Sequence, residues 1–460
     1  MKLIYNINDK PKFGQLIVFA IQMLLAIMAA TLVVPVIINS SAGLTGDDAM
    51  STAAALFGAG IGTIIYVLFT RKKSPVFLGS SFAFIGSMTA AFAGAVSIAA
   101  GYLGLIMGAV FAGLVYVVIA IIIKFVGVNW INKIMPAVVI GPTVAIIGLS
   151  LASSAISDLQ TASAGGNTNI AVLCGLITLF VTMACSTFGK KSGKMFPFIF
   201  GILAGYIVSA IFTFIGMATD ISALMIIDFS SITSLWADGI TLSTFISVPD
   251  FTFLTAFKGF VDIDATYVGT VAVAYIPVAF VVLAEHIADH KNISFIIEKD
   301  LLEDPGLHNT LLGDGIGSMV GAFFGGCPNT TYGESIGCVA ISKSASIYTI
   351  IATAIGAMLI AFLSPFIAFV DSIPSCVMGG VCVALYGFIA VSGLKMIQKV
   401  DLEDNKNLFV VSIILICGIG GLELTFGAVT FTEVACALIL GIVANVILSR
   451  KKDDNVSEEA

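Results

Sequence analysis

The chain has 460 residues, 58% of them hydrophobic and only 11% charged, with a mean hydropathy of +1.08. A soluble fold of that composition would lack the polar surface to cover itself, so an all-α polytopic membrane protein is expected. The net charge of −7 comes with no basic patch, which excludes nucleic acid as a partner. The eight cysteines lie in or beside apolar segments with no CxxC spacing, against both a disulfide framework and a metal site. No small-residue cleavage site follows the first apolar run, so that run reads as a retained helix.

About 20 apolar residues cross the hydrocarbon core as a helix. By that ruler the first half offers seven segments, at 14–39, 51–70, 75–94, 100–123, 135–157, 169–188 and 195–218. A less hydrophobic stretch over 219–266 follows, and then seven more segments at 267–288, 308–324, 329–342, 345–370, 375–394, 407–425 and 430–449. The basic residues provide an independent check. With both termini inside, all 21 lysines and arginines except Lys258 fall on the cytoplasmic side, as the positive-inside rule requires. They include Arg71-Lys72-Lys73, Lys133, Lys191 and Arg450-Lys451-Lys452. Trp130 and Trp236, near span ends, read as interface anchors.

Seven spans per half force the two halves into the membrane in opposite directions, which is an inverted repeat. Two interrupted segments occupy matching places in it: Leu78-Gly79-Ser80-Ser81-Phe82-Ala83-Phe84 in span three, and Cys327 to Glu334 at span ten. Such a pair is the best sequence pointer to a transporter site near the midplane. The Gly58-Ala59-Gly60-Ile61-Gly62 run reads instead as close helix packing.

Ionisable residues at membrane depth are costly and mark pathways or sites. Glu285 and Asp289 are four apart on one helix face, and two carboxylates there cannot both ionise cheaply, so they are the expected proton-coupling pair. His286 points elsewhere and is expected to pack or cap. Asn329-Thr330-Thr331-Tyr332-Gly333 reads as extended chain entering a half-helix whose first N–H groups are free, with Glu334 in its first turn. Ser80, Ser81 and Phe82 are expected to supply the opposing half-helix, and Phe82, Tyr332 and Tyr386 could clamp a flat ring. Asp314 reads as a structural polar contact, and Glu423 and Glu433 as solvated.

Five ordered blocks carry a family resemblance. They are Gly79-Ser80-Ser81-Phe82-Ala83-Phe84; Ala284-Glu285-His286; Lys299-Asp300-Leu301-Leu302-Glu303-Asp304-Pro305-Gly306-Leu307-His308; Pro328-Asn329-Thr330-Thr331-Tyr332-Gly333-Glu334; and Val377-Met378-Gly379-Gly380-Val381 running to Tyr386-Gly387. Over nearly its whole length the chain resembles the nucleobase-ascorbate transporter family, and its Asn-Thr-Thr-Tyr-Gly-Glu stretch is similar to the bacterial uracil permeases of that family. The resemblance implies a core of spans 1–4 and 8–11 and a gate of spans 5–7 and 12–14. It also implies short antiparallel strands in spans three and ten, a homodimer formed through the gates, and elevator-like movement of the core. Glu285 and Glu334 would then bond the edge of uracil, the amides of Phe82 and Gly333 its carbonyl oxygens, and Tyr332 and Tyr386 would line the ring. One departure stands out: members of this type can carry a histidine one turn after the first glutamate, and this chain has Asp289, with His290 beside it.

The expected domains are core at 14–123, gate at 124–218, an outside loop at 219–266, core again at 267–370 and gate again at 371–450. The expected function is import of uracil across the cytoplasmic membrane by alternating access, coupled to a cation gradient, with H+ as the coupling ion and no cofactor. Xanthine or another nucleobase is the alternative substrate, and a passive channel the alternative mechanism. An enzyme is not expected, since there is no HExxH or GxSxG motif and only three histidines are present.

Overall fold

The computed structural model describes residues 3–127, 136–190, 193–194, 196–237, 239–426 and 429–456. Trp130, Lys133 and Lys191 fall outside them.

The first half runs through α1 (Phe13–Ala42), α2 (Thr52–Phe69), β1 (Leu78–Ser80), a 3-10 turn over Phe82–Phe84 leading into α3 (Ile85–Ala93), and α4 (Ile98–Val126). It continues with α5 (Ala137–Ser150), α6 (Ala152–Leu159), α7 (Thr168–Phe188) and α8 (Pro197–Thr219). Short helices α9 (Ser230–Ser234) and α10 (Thr252–Ala256) sit in the central stretch. The second half holds α11 (Ala265–Ile297), α12 (Leu307–Gly325), β2 (Asn329–Thr331), α13 (Gly333–Ser342), α14 (Ile347–Ile360) and α15 (Ser364–Asp371). It closes with α16 (Ser375–Ile397), α17 (Asn405–Ile419), the hairpin of β3 (Leu424–Phe426) and β4 (Val429–Phe431), and α18 (Glu433–Val456). Among the described residues, eight helices are long and apolar enough to cross a membrane, and further apolar helices are shorter. The molecule is a mostly helical, multi-pass membrane protein.

Two expected continuous spans are broken. Span five divides at Leu151 into α5 and α6. Span eleven divides into α14 and α15, where Pro365 sits in the first turn of the new helix and cannot extend the old one.

The helix packing has a regular pattern. Taken by expected span number, span 2 packs on 9 and span 5 on 12. Spans 4 and 9 pack as 11 and 2 do, 8 and 4 as 1 and 11 do, 6 and 12 as 13 and 5 do, and 7 and 6 as 14 and 13 do. Each contact thus recurs seven spans later with its partner exchanged.

The α2–α12 seam is built from glycine. A Cβ at Gly58 would lie 2.5 Å from the Gly321 carbonyl oxygen, and one at Gly325 would lie 2.6 Å from that of Ala54. Only small residues permit so close an approach, which here replaces hydrophobic driving force with backbone packing. Asn329 uses the space, its Nδ2 donating to the Gly58 carbonyl at 2.9 Å.

Candidate substrate cleft

The two interrupted segments meet. β1 and β2 pair antiparallel, with Leu78 opposite Thr331, Gly79 opposite Thr330 and Ser80 opposite Asn329. Bonds from Tyr332 N to the Phe77 carbonyl (3.1 Å) and from Ser81 N to the Pro328 carbonyl (2.9 Å) extend the ladder at both ends. Strand edges in an apolar interior need partners, and side chains supply them: Thr63 Oγ1 accepts from Leu78 N at 2.9 Å and Ser318 Oγ from Asn329 N at 3.0 Å. Ser335 Oγ accepts from Phe77 N at 3.2 Å and donates to the Tyr332 carbonyl at 2.7 Å, which ties the start of α13 to the strand leading into it.

Each strand then turns into a helix start, at Phe82 on one side and Gly333 on the other. The first amides of a helix have no intrahelical carbonyl to bond, so these two N–H groups are available donors. Between them lies a cleft of about 80 Å³, several times what one water needs. Its polar side is formed by Ser81, Phe82, Thr330, Thr331, Tyr332, Gly333, Glu334 and Glu285. Glu285 and Gly333 are exposed to it and Glu334 partly so, while His286 and Ser335 beside them are buried. The opposite wall is aliphatic: Val144 and Ile147 from α5 and Ile389 from α16. Larger hollows, of about 380 and 400 Å³, lie around residues 41–44, 89–98 and 261–270, away from Glu285 and Glu334.

Tyr386 and Tyr332, expected to line the ring, and Asp289, expected in proton coupling, take different places around the cleft. Tyr386 is buried behind Phe82 rather than on the cleft wall, its ring edge-on at 6.2 Å. Tyr332 does line the cleft, but its hydroxyl donates across the sheet to the Ser80 carbonyl at 2.7 Å. Its ring crosses the strand where Gly79 has no side chain, since a Cβ there would sit 2.3 Å from the ring. Asp289 faces Thr331, whose hydroxyl donates to Oδ2 at 2.8 Å, so it reaches the cleft through β2. Glu433, expected to be solvated, borders a small cavity on the far side of Phe82.

Behind the cleft runs a buried polar chain. Thr310 Oγ1 lies 3.0 Å from both the Leu307 carbonyl and His286 Nε2, and its one hydroxyl proton serves one of the two. His286 Nδ1 hydrogen-bonds Asp314 Oδ2 across 2.6 Å. His290 stacks on His286 with ring centroids 4.1 Å apart, donates from Nδ1 to the His286 carbonyl, and accepts at Nε2 from the Tyr66 hydroxyl 2.7 Å away. Tyr66 in turn accepts from Ser74 at 2.7 Å. Asp314 is thus a histidine partner, and its Oδ1 has no hydrogen-bond partner among the described residues. Among the described residues no cluster suits a metal ion.

A multi-pass helical bundle whose interrupted segments meet at a polar cleft has the architecture of a membrane transporter. The Permease family model (Xan_ur_permease) matches residues 14–425, and the chain belongs to this family, the nucleobase-ascorbate transporters. It is a transporter and not an enzyme. The chain is 34% identical to a uracil permease of Bacillus caldolyticus over 463 residues, covering 100% of this chain and 98% of that one. It is 32% identical to a uracil permease of Escherichia coli (strain K12) over 447 residues, covering 96% and 93%. Among solved structures, the transmembrane domain of a cyanobacterium bicarbonate transporter, BicA, superposes with a TM-score of 0.62 over 96% of this chain and 100% of that one. At 14% identity that likeness is one of fold.

Proposed function

We propose that this protein imports uracil across the cytoplasmic membrane by alternating access, coupled to a proton gradient, with both termini cytoplasmic. One observation carries the substrate reading: two carboxylates, Glu285 and Glu334, and two helix starts, at Phe82 and Gly333, face one small cleft. Uracil has two N–H donors and two carbonyl acceptors in one plane, and this set of groups can satisfy both kinds. A site built on such bonds rejects analogues that leave its buried groups unpaired. The curated relatives described as uracil permeases support the same substrate.

The fourteen-span inverted repeat is supported by the contacts that recur seven spans apart and by the antiparallel pairing of β1 with β2. On that reading the core comprises 14–123 and 267–370, and the gate 124–218 and 371–450. Every polar group facing the cleft then belongs to the core, and the gate contributes only Val144, Ile147 and Ile389. An aliphatic wall makes no directional bond to the substrate, so the core can carry its cargo past it. This division of labour suits elevator-like movement, with gates of two copies joined in a homodimer. Glu285 and Asp289 form the proton-coupling pair, Asp289 acting through Thr331.

Equilibrium binding to purified protein tests the substrate: uracil should displace labelled uracil at far lower concentration than xanthine or adenine. Stronger displacement by xanthine would move the assignment to the purine side of the family.

A further inference from the structure

The Glu334 half-helix is held at its far end by the beginning of the chain. After Ser342 the backbone turns at Lys343, with φ 60°, and runs extended to Ser346 before α14 begins. Its peptide groups are paired by residues 4–9. Ile4 N donates to the Lys343 carbonyl at 2.8 Å, Ala345 N to the Tyr5 carbonyl at 2.9 Å, and Ile347 N to the Ile7 carbonyl at 3.0 Å, while Tyr5 and Ser344 form a parallel bridge. Ser346 Oγ adds a bond to the Asp9 carbonyl at 2.7 Å. Ile7, only 5% exposed, belongs to the same apolar cluster as Ile336 and Val339 of α13 and Tyr332 before it.

This is strand addition to an edge that would otherwise be unpaired. α13 has 10 residues, a length at which helices owe their stability to what surrounds them. Its first turn carries Glu334, roughly 12 Å along the axis from Ser342.

We propose that residues 4–9 are a positioning strap for the substrate site, with Ile7 its anchor: by fixing the far end of α13, the strap sets the orientation of Glu334 and of the Gly333 amide. The inference rests on the reading of Glu334 as a ligand, and its test separates the two. Full-length protein carrying Ile7→Asp, and Ile7→Val as the conservative control, is compared with wild type by amide hydrogen exchange over 333–342 and by uracil binding. Ile7→Asp should speed exchange in α13 while leaving α17 unchanged, and should weaken uracil binding about tenfold, within the usual range of coupling between sites. Ile7→Val should match wild type in both. Unchanged exchange in α13, or exchange rising alike in α13 and α17, would overturn the strap. Faster exchange in α13 with undiminished uracil binding would overturn its positioning role. Failure of uracil to bind wild type would count against the substrate reading, while exchange in α13 would still decide whether the strap holds. If Ile7→Asp does not reach the membrane, Ile7→Ala, which keeps the site apolar, is judged by the same two readouts.

Discussion

Thr331 Oγ1 donates to Asp289 Oδ2 at 2.8 Å, so a carboxylate one turn beyond Glu285 is joined to the strand that forms the cleft wall. Asparagine at position 289 can still accept that bond but cannot hold a proton. Asp289→Asn should therefore keep uracil binding near wild type at low pH while altering coupling. Wild-type uptake should fall as pH rises and the loaded pair loses its proton. In Asp289→Asn the neutral amide no longer repels a charge on Glu285, so the fall should move to lower pH. Superimposable pH profiles of uptake would remove Asp289 from coupling and leave it as the acceptor for Thr331.

Glu334→Gln preserves size but leaves one bond mismatched in a dry site. The cost should be on the order of 1–3 kcal/mol, or roughly 5- to 150-fold in Kd for uracil. Titration calorimetry on the purified variant checks it, and a Kd equal to wild type would remove Glu334 from the site.

Tyr332 is joined to β1 twice, through its hydroxyl bond to Ser80 and through its ring lying over Gly79. Tyr332→Phe loses the bond alone and should weaken uracil binding by about 1 kcal/mol. Gly79→Ala forces the ring away, because its Cβ would lie 2.3 Å from ring carbons, and should weaken binding further. The same calorimetry on both variants tests the order, which equal or reversed losses would contradict.

Topology can be read by labelling. Single cysteines at 42–48 and 160–167, in a cysteine-free background, should react with an impermeant thiol reagent from outside, and those at 193–194 and 452–456 should not. Reversed labelling would sink the fourteen-span arrangement.

The sequence shows much of the site because its polar residues stand out against an apolar background. Ser81, Glu285 and Glu334 are conspicuous in such surroundings, and the structure brings them to one cleft. Val144, Ile147 and Ile389 were not legible, since an aliphatic wall is indistinguishable in sequence from the aliphatic helices around it. The His286–Asp314 contact joins residues 28 apart on different helices, so helix spacing could not reveal it. The same limit hid the bond from Asn329 to Gly58, 271 positions away, although the glycine run on α2 did mark a close approach. Tyr386 stands out in the sequence as an aromatic, but only packing shows that it meets Phe82, a residue of the cleft wall, and is not itself part of that wall. The break at Pro365 has a clear local signal, whereas the break at Leu151 has only the weaker one of Gly148 and Ser150 just before it.

Uptake of labelled uracil into proteoliposomes, with proton and sodium gradients imposed separately and Glu334→Gln run alongside, tests the central claim most directly. An inward proton gradient should drive accumulation above the external concentration, a sodium gradient alone should not, and Glu334→Gln should lose most of the uptake at low uracil. Equilibration without accumulation under either gradient, or Glu334→Gln behaving as wild type, would contradict a proton-coupled uracil importer built on this cleft.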